Sequence, residues 1–363
     1  MQTSEVLATG LLIAATDEGI TLVENAGGRG PRAARTDWPG GRPVALLETA
    51  GQVFAAAEDG IWVSAKHGRG VSRPRGVAAS GEAAPKRPGP PTSLWERAPG
   101  APARRTCCLA AAGTVIYAGR DDGTLLVSRD SGETWSQSDA LIKAQHSGAA
   151  PVAALGVDAK RPYAVVAALE SGAILLTSDF GETWNAAGSV PAPVVAVGLS
   201  YYQREEIVYA ATGSGFHRSR AVDVPNRASG RLEAFWHLSS GGLTITHCTA
   251  MTVRRIAPGQ GETIFLAAFA ESSGGREPAE AAAAPREGGG VFRSVDYGAR
   301  WERVREGLPE PAPRFTALCY DAADPYVVFA GTSDGTIYHC REAGDCWYLL
   351  ASGLSPIRAL IAL

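Results

Sequence analysis

Basic residues recur just before short apolar segments of this 363-residue chain. Arg105, His247 and Arg314 each stand one residue before such a segment, Arg42 stands two residues before one, and Arg358 lies inside the last. If these segments begin at one place in the fold, several charge-assisted hydrogen bonds could hold a carboxylate, a phosphate or an acidic side chain of a partner. The alternative is that these residues are solvated loop charges, or that the arginine stems pack over a rim.

Residue types that suit catalysis or metal binding also occur, but their spacing favours structural roles. The acidic pairs Asp17-Glu18, Glu58-Asp59 and Asp121-Asp122 could act in acid/base chemistry, yet each immediately precedes a glycine, and turn propensity explains that position. The histidines show no repeating spacing, and the six cysteines include no Cys-x-x-Cys pair. We therefore predict no catalytic residue, no metal site and no cofactor.

Cysteine placement predicts mostly free thiols in a reducing compartment. Cys107, Cys108, Cys248 and Cys319 fall in apolar patterns, where a thiol behaves as a small hydrophobic group. Cys340 and Cys346 flank the last turn and are close enough in sequence to bridge, and the pattern leaves open whether they do.

A turn sequence recurs three times and indicates a repeat protein. Residues 128–135 read Ser-Arg-Asp-Ser-Gly-Glu-Thr-Trp, residues 177–184 repeat them almost letter for letter, and residues 294–301 keep Ser, Asp, Gly and Trp at the same offsets. The aspartate can accept hydrogen bonds from turn amides, the glycine can take a positive φ, and the tryptophan can fill the gap between adjacent sheets. We predict this structural role for Asp130, Gly132, Trp135, Asp179, Gly181, Trp184, Asp296, Gly298 and Trp301.

The spacing Ser/Thr-x-Asp-x-Gly-x-Thr-Trp resembles the Asp-box, or BNR, repeat of β-propellers in the broad WD40/YVTN/BNR-like group. In that family the box lies on the perimeter and is structural, so the resemblance implies a fold more firmly than a function. Sialidases of the family bind a carboxylate with an arginine triad and attack with a tyrosine that a glutamate activates. Residues 201–206 contain the right types, but they lie in a first-to-second strand connection and no Arg-Ile-Pro stretch occurs near the N-terminus, which favours a solvated loop.

Seven units of strand, glycine turn, strand and tryptophan predict an all-β fold, a single seven-bladed β-propeller over residues 1–363. The tryptophans expected in the fourth strands are Trp38, Trp95, Trp135, Trp184, Trp236, Trp301 and Trp347. The first unit lacks a convincing inner strand, whereas residues 357–360 match one, so we expect the C-terminal strand to complete blade one. The starts of the inner strands, with their basic residues, would then surround the mouth of a central channel.

Three stretches interrupt the repeat period, at residues 68–91, 221–233 and 271–289. Their composition cannot bury a core, so they are predicted to be surface loops. The first two would share a face with the recurrent turns, and the third would stand over the opposite face.

Charge and hydropathy limit the partners. A net charge of −3 argues against bulk affinity for nucleic acid or an anionic membrane surface. No apolar run reaches the roughly 18 residues that a spanning helix needs. The first residues carry no basic segment typical of a signal peptide, so we expect a cytoplasmic protein, with a removed signal left open.

Among functions, the layout is similar to photosystem II assembly factors and to the luminal propellers of sortilin-type receptors. That resemblance implies a non-catalytic binding scaffold, a protein-interaction subunit or assembly factor of a larger complex. The alternative is a carbohydrate-active enzyme or glycan-binding propeller of the glycosidase or sialidase type. Xyloglucanase-like relatives usually place two propellers across a cleft, and this chain has the repeats of one. Two carboxylates about 5 to 9.5 Å apart in an open groove would indicate a glycosidase.

Overall fold

The computed structural model describes residues 11–24, 31–64, 95–144, 149–158, 161–202, 205–221, 236–255, 262–270, 289–321, 323–324 and 326–363. Within them, 28 strands form seven four-stranded antiparallel sheets, and the helix α1 (Ala140–Ala144) is five residues long. The chain is thus a seven-bladed propeller, and the predicted fold is confirmed. The insertion at 68–91 lies outside the described residues, as do 222–233 and 271–288 of the other two.

The strands of each blade are given from the channel outwards. Blade 1 contains β28 (Ile357–Ala362), β1 (Leu12–Thr16), β2 (Gly19–Glu24) and β3 (Arg32–Arg35). Blade 2 contains β4 (Pro43–Thr49), β5 (Gln52–Ala57), β6 (Gly60–Ser64) and β7 (Trp95–Arg97). Blade 3 contains β8 (Thr106–Ala112), β9 (Val115–Arg120), β10 (Leu125–Ser128) and β11 (Ser136–Ser138). Blade 4 contains β12 (Val152–Asp158), β13 (Arg161–Leu169), β14 (Ala173–Thr177) and β15 (Asn185–Ser189).

The remaining three blades follow the same order. Blade 5 contains β16 (Val194–Tyr202), β17 (Glu205–Thr212), β18 (Gly215–Ala221) and β19 (His237–Leu238). Blade 6 contains β20 (His247–Arg255), β21 (Glu262–Phe269), β22 (Gly290–Ser294) and β23 (Glu302–Val304). Blade 7 contains β24 (Phe315–Tyr320), β25 (Val328–Thr332), β26 (Ile337–Cys340) and β27 (Trp347–Ala351).

The C-terminal strand closes the ring, as the sequence predicted. β28 pairs antiparallel with β1 and becomes the innermost strand of blade 1, with Leu12 opposite Ala362. Ile357 and Leu360 on β28 are buried against blade 7. The two ends of the chain therefore share one sheet, which removes an open strand edge at the seam.

Second strands form the core because neighbouring blades cover both of their faces. Every residue of β1, β9 and β25 is buried. A strand covered on both faces must be apolar throughout rather than alternating, which accounts for the Val- and Ala-rich second strands read in the sequence. Innermost strands instead alternate, as in β8, where Cys107 and Leu109 are half-buried and line the channel.

The three recurrent turns share one hydrogen-bond pattern. In residues 128–135, the Ser128 hydroxyl donates to Asp130 Oδ1 at 2.8 Å and accepts from the Gly132 amide at 2.8 Å. Asp130 accepts from the Thr134 amide at 2.9 Å and from the Thr134 hydroxyl at 2.6 Å. These bonds lower the pKa of Asp130 to about 2, because they favour the carboxylate. The side chains therefore satisfy amides that the tight turn leaves without backbone partners.

The glycine of each recurrent turn lies against the preceding blade. A Cβ at Gly132, which has φ +89°, would stand 2.6 Å from the ring of Phe54 in blade 2. A Cβ at Gly298 would stand 2.4 Å from the Phe216 ring in blade 5. At Gly132 and Gly298 glycine is required for two reasons, because the backbone takes a conformation that strains other residues and because a ring fills the space of a side chain. At Gly181 the nearest atoms of blade 3 are 3.6 to 3.7 Å from the Cβ position, so the backbone conformation is the reason there.

A fourth turn of the same form, which the sequence pattern did not reveal, occurs in blade 7. The amides of Glu342 and Gly344 donate to the Cys340 sulfur at 3.3 and 3.1 Å, so the thiol takes the place of the serine hydroxyl. Ala343 and Gly344 both have positive φ, and the Gly344 position meets the Phe265 ring of blade 6. Cys340 is a free thiol, as are the other five cysteines.

The fourth strands contain two of the seven tryptophans predicted there, Trp95 and Trp347. Trp135, Trp184, Trp236 and Trp301 each stand one residue before the fourth strand of their blade. Trp135, Trp184 and Trp347 each donate the indole N–H to the carbonyl of the turn glycine, at 3.1 to 3.2 Å. Trp301 packs between blades 5 and 6 and donates to Ser239 instead. The expectation for Trp38 is wrong. It follows the fourth strand of blade 1 and packs with Trp62 and Trp95, so it belongs to the junction of blades 1 and 2.

We expect Gly132→Ala to destabilise the protein more than Gly113→Ala. Gly113 lies in the same blade and also has positive φ, but nothing is within 4 Å of its Cβ position, so alanine there adds only backbone strain of about 1 to 2 kcal/mol. At Gly132 the clash with Phe54 adds a further ~1 to 3 kcal/mol. Urea unfolding of both variants measures the difference, and equal losses would contradict a steric role for the contact.

Candidate functional site

The five predicted basic residues all lie at one end of the channel. Each precedes or opens an innermost strand: Arg42 before β4, Arg105 before β8, His247 in β20, Arg314 before β24 and Arg358 in β28. We call this end the mouth, and the end where these strands finish the lower face. The channel holds a cavity of about 320 Å³ lined mostly by Ala, Val, Leu and Thr side chains, and Arg358 is the member of the five that lines it.

Two of the four arginines are held by carboxylates. Arg358 donates two hydrogen bonds to Asp17, from Nε to Oδ1 at 2.7 Å and from Nη2 to Oδ2 at 2.9 Å. Arg42 lies 4.0 Å from Asp17 Oδ1 and 3.1 Å from Glu58 Oε1. The bond to Arg358 lowers the pKa of Asp17 and raises that of Arg358, because each group favours the charged form of the other. This ion network ties the C-terminal strand to blades 1 and 2.

Two other members meet at one aromatic ring. The guanidinium carbon of Arg314 lies 3.8 Å from the ring centroid of Phe269, and the His247 ring lies 4.4 Å from it. Phe269 ends β21, directly opposite His247 in the sheet, so the strand register places these two rings together. Arg314 is exposed, and no described carboxylate is paired with it. We call Arg314, Phe269 and His247 the aromatic platform.

Arg105 lies in blade 3, which does not touch blade 7, so it stands apart from Arg314 in the ring. It is exposed, and its charge acts on the neighbouring Cys107 thiol. Burial nevertheless raises the pKa of Cys107, so the thiolate form is disfavoured. The structure therefore separates the five residues into a paired group, the aromatic platform and Arg105. Their role in binding stays a prediction.

The acidic pairs at the mouth have structural partners. Asp59 accepts hydrogen bonds from the Gly41 amide, the Trp62 indole and Arg97, at 2.9 to 3.0 Å. Asp122 binds Arg104 at 3.1 Å and lies 3.2 Å from the buried Arg120. Together with the Asp17 bonds, these contacts bind one carboxylate of each pair to turns and arginines, which fits the turn interpretation.

A second cavity, of about 450 Å³, opens at the lower ends of blades 4, 5 and 6. Asp158 and Glu262 line it, and both are almost fully buried. Glu262 accepts hydrogen bonds from the hydroxyls of Ser200 and of Tyr209, the latter at 3.1 Å. Burial raises the pKa of the Tyr209 phenol, so it stays protonated and donates.

An arginine beside this cavity joins two carboxylates. Arg161 binds Asp158 through Nε at 2.9 Å and Glu206 of the next blade through Nη2 at 2.9 Å. Tyr201 and Tyr202 end β16, Glu205 and Glu206 begin β17, and Tyr201 pairs with Glu206 in the ladder, while residues 203–204 lie outside the described residues. The described residues of this stretch thus lie in the ends of two paired strands rather than in a loop, and Glu206 bridges blades 4 and 5 through Arg161.

Sequence reasoning missed Phe269, Asp158 and Glu262. Phe269 stands last in an apolar strand, where it reads as a core residue, and Asp158 and Glu262 stand at strand ends where acidic residues are ordinary. In the described residues, no group of three or more His, Cys, Asp or Glu side chains is placed to hold a metal ion. No helix of the described chain is long and apolar enough to cross a membrane.

Comparison with protein-family models and with curated protein sequences gives no match. Solved structures share the fold. A GH74 xyloglucanase from Xanthomonas campestris aligns with a TM-score of 0.59 and 16% identity over 94% of this chain and 53% of that one. An ancestral GH74 enzyme aligns with a TM-score of 0.52 and 14% identity over 83% and 36%. The structure of YCF48 bound to a D1 peptide gives a TM-score of 0.49 and 13% identity over 85% and 81%.

The alignments cover only part of each GH74 enzyme. This chain spans about half of the length of the xyloglucanase and 36% of the ancestral enzyme. At 14 to 16% identity, the resemblance to the two GH74 enzymes concerns the propeller fold and carries no activity with it.

The Asp17–Arg358 pair should stabilise the protein at neutral pH and lose its effect in acid. The folded-state pKa of Asp17 lies below its ordinary value of about 3.9, so the contribution is present above about pH 4 and disappears as pH falls through the folded pKa. Both side chains are partly exposed, which limits the coupling to about 0.5 to 1 kcal/mol. A double-mutant cycle of Asp17→Asn and Arg358→Gln, followed by urea unfolding, measures it. An unchanged coupling energy below the folded pKa would contradict the assignment.

Proposed function

We propose that this protein is a non-catalytic binding scaffold whose mouth holds an acidic segment of a protein partner, within a larger complex. The observation that carries the proposal is Arg314, an exposed guanidinium laid on the Phe269 ring at 3.8 Å and paired with no carboxylate of the described residues. Arg42 and Arg358 lie at the same mouth but are already held by Asp17 and Glu58. Arg314 and Arg105 are therefore the arginines of the mouth that a partner can use, and Arg314 is the one that an aromatic ring orients.

The chemistry of the platform suits a carboxylate. An arginine that stacks on an aromatic ring keeps its N–H edges outward, so the ring orients the donors without using them. A carboxylate can then accept two parallel hydrogen bonds, and the cost of ordering the long side chain is already met in the unbound protein. His247 packs on the same ring and holds it in place.

Several features support a protein partner rather than a substrate. The side chains that line the channel are mainly aliphatic, and Arg358, the charged one among them, already binds Asp17. Turn bonds and arginines hold Asp17, Asp59 and Asp122 at the mouth. The three recurrent turns match the Asp-box pattern, and we assign the chain to that repeat group, whose single propellers mostly bind partners. We also infer a cytoplasmic location.

Arg314→Ala should weaken partner binding by about tenfold or more, because one charge-assisted interaction contributes ~1.5 to 3 kcal/mol. Arg105→Ala should weaken it as well if the partner spans the mouth. The partner is first isolated from an extract of the native host with the full chain as bait. The dissociation constant of that partner is then measured at increasing salt concentration, and added salt should weaken binding. The melting temperature of both variants should match the wild type.

A matched control exists in Arg35→Ala. Arg35 is an exposed arginine of the outermost strand of blade 1, away from the channel, and it pairs with Glu18 at 2.6 Å. Its removal should leave partner binding unchanged. Equal losses for Arg35→Ala and Arg314→Ala, or no loss for Arg314→Ala, would refute the proposal.

The second candidate is a carbohydrate-active enzyme, and the 450 Å³ lower cavity favours it, because Asp158 and Glu262 both line that cavity. Against it, Ser200 and Tyr209 donate hydrogen bonds to both oxygens of Glu262, so this carboxyl group is already engaged within the fold. We expect the full chain to release no reducing sugar from xyloglucan. If the chain does release reducing sugar, and Glu262→Gln abolishes this release while Glu18→Gln leaves it intact, the enzyme proposal would replace the scaffold proposal.

A further inference from the structure

The lower face contains a buried arginine without a hydrogen-bonding partner. Arg254, near the end of β20, is 6% exposed. Its Nε and Nη2 atoms are inaccessible to solvent and have no hydrogen-bond acceptor. Buried polar groups are nearly always paired, and a buried cation with two unused donors needs a specific explanation.

Aromatic rings account for part of the environment of Arg254. Its guanidinium carbon lies 5.6 Å from the ring centroid of Tyr320 and 4.9 Å from that of Tyr326, both in blade 7. The Tyr320 hydroxyl donates to the Thr263 carbonyl at 3.2 Å, which fixes that ring. These contacts orient the guanidinium, but a ring face accepts no hydrogen bond from the Nε/Nη2 edge that is left without acceptors.

The two unused atoms form one edge of the guanidinium. Nε and Nη2 present parallel N–H bonds, and that spacing matches the two oxygens of a carboxylate. Arg161 shows the same edge in use in this protein, since its Nε and Nη2 bind Asp158 and Glu206 at the junction of blades 4 and 5. Arg254 occupies the junction of blades 6 and 7 at the same face, with no described carboxylate bonded to it.

The charges around Arg254 leave this edge uncompensated. Asp324 is the acidic residue whose charge acts on Arg254, and its Oδ1 already accepts the Tyr326 amide at 2.9 Å. Asp321 accepts the amides of Ala323 and Asp324 and so is engaged in its own turn. Burial lowers the pKa of Arg254, because desolvation outweighs these distant charges.

We propose that the Nε/Nη2 edge of Arg254 is a binding site for a carboxylate group, clamped beside the rings of Tyr320 and Tyr326. The carboxylate comes from a small organic acid or from an acidic side chain or C-terminus of a partner protein. This site lies at the lower face, so it goes beyond the mouth proposed above and does not depend on it.

Tyr326 is the exposed one of the two tyrosines. It is 49% exposed and stands in the connection between β24 and β25, whereas Tyr320 is the last residue of the innermost strand β24. Truncation of Tyr326 therefore removes one aromatic contact to the guanidinium without changing a strand, and it should weaken carboxylate binding.

The test is an NMR titration of the full chain labelled with ¹⁵N-arginine, with sodium acetate as one probe and the peptide acetyl-Gly-Asp-Gly-amide as the other, at constant ionic strength set with sodium chloride. We expect the Arg254 Nε–H resonance, assigned by its loss in Arg254→Lys, to shift saturably with at least one probe. Acetate binding as tight as the peptide would identify a small acid, and peptide binding about tenfold tighter would identify a partner. No saturable shift with either probe would overturn the proposal.

Variants separate this site from general anion effects. A ligand that binds the native state raises the melting temperature. The probe that binds should therefore raise the melting temperature of the wild type more than sodium chloride does at the same ionic strength. Arg254→Lys should abolish that increment, and Tyr326→Ala, at a half-exposed position, should change the affinity by about threefold or more. Arg129→Lys is the matched control, since Arg129 stacks on Phe180 at 5.5 Å and already binds Glu182. Equal loss in Arg129→Lys and Arg254→Lys would also overturn the proposal.

Discussion

The contact between a turn glycine and an aromatic ring of the preceding blade sets the geometry of this propeller. The Phe54 ring lies where a Gly132 side chain would stand, and Phe265 does the same at Gly344. The Asp and Ser side chains of the turn hold the glycine in a positive φ by bonding the neighbouring amides. At Gly132, Gly298 and Gly344 the ring and the glycine backbone meet with no space between them, so these contacts limit how closely blades 2 and 3, 5 and 6, and 6 and 7 approach. That spacing in turn places the starts of the innermost strands around the channel.

Some charged side chains at the mouth pair with each other and help to close the ring, and others stay exposed. Arg358 and Asp17 join the last strand to the first, so the seam of the ring depends on an ion pair as well as on strand pairing. Arg42 extends this network to blade 2. A charge that already has a well-placed partner gains little from a ligand, because binding must first break the existing pair. Arg314 is different, since an aromatic ring supports it and leaves its donors outward.

The junction of blades 6 and 7 carries arginine–aromatic contacts at both ends. At the mouth, Arg314 lies on Phe269, and at the lower face Arg254 lies beside Tyr320 and Tyr326. At the junction of blades 4 and 5, carboxylates instead bind the half-buried Arg161. An aromatic ring stabilises a cation without accepting its N–H groups in directed hydrogen bonds, whereas a carboxylate does both. The N–H groups of Arg161 at the junction of blades 4 and 5 are therefore in use, whereas those of Arg254 at the junction of blades 6 and 7 can still bind a carboxylate.

The sequence by itself determined the repeat, the number of blades, the closing strand and the role of the recurrent turns. The turns follow from neighbouring residues, such as Asp130 and Thr134, whose hydrogen bonds are local, and the blade number and closing strand follow from counting the repeated units along the chain. Tertiary structure alone decided which charges are paired, because the partners are distant in the chain: Arg358 and Asp17 are 341 residues apart. It also decided that Cys340 replaces a serine, because the amides that its sulfur accepts are visible only once the turn has formed. Local patterns fix backbone conformation, but side-chain pairing depends on which blades the closed ring brings together.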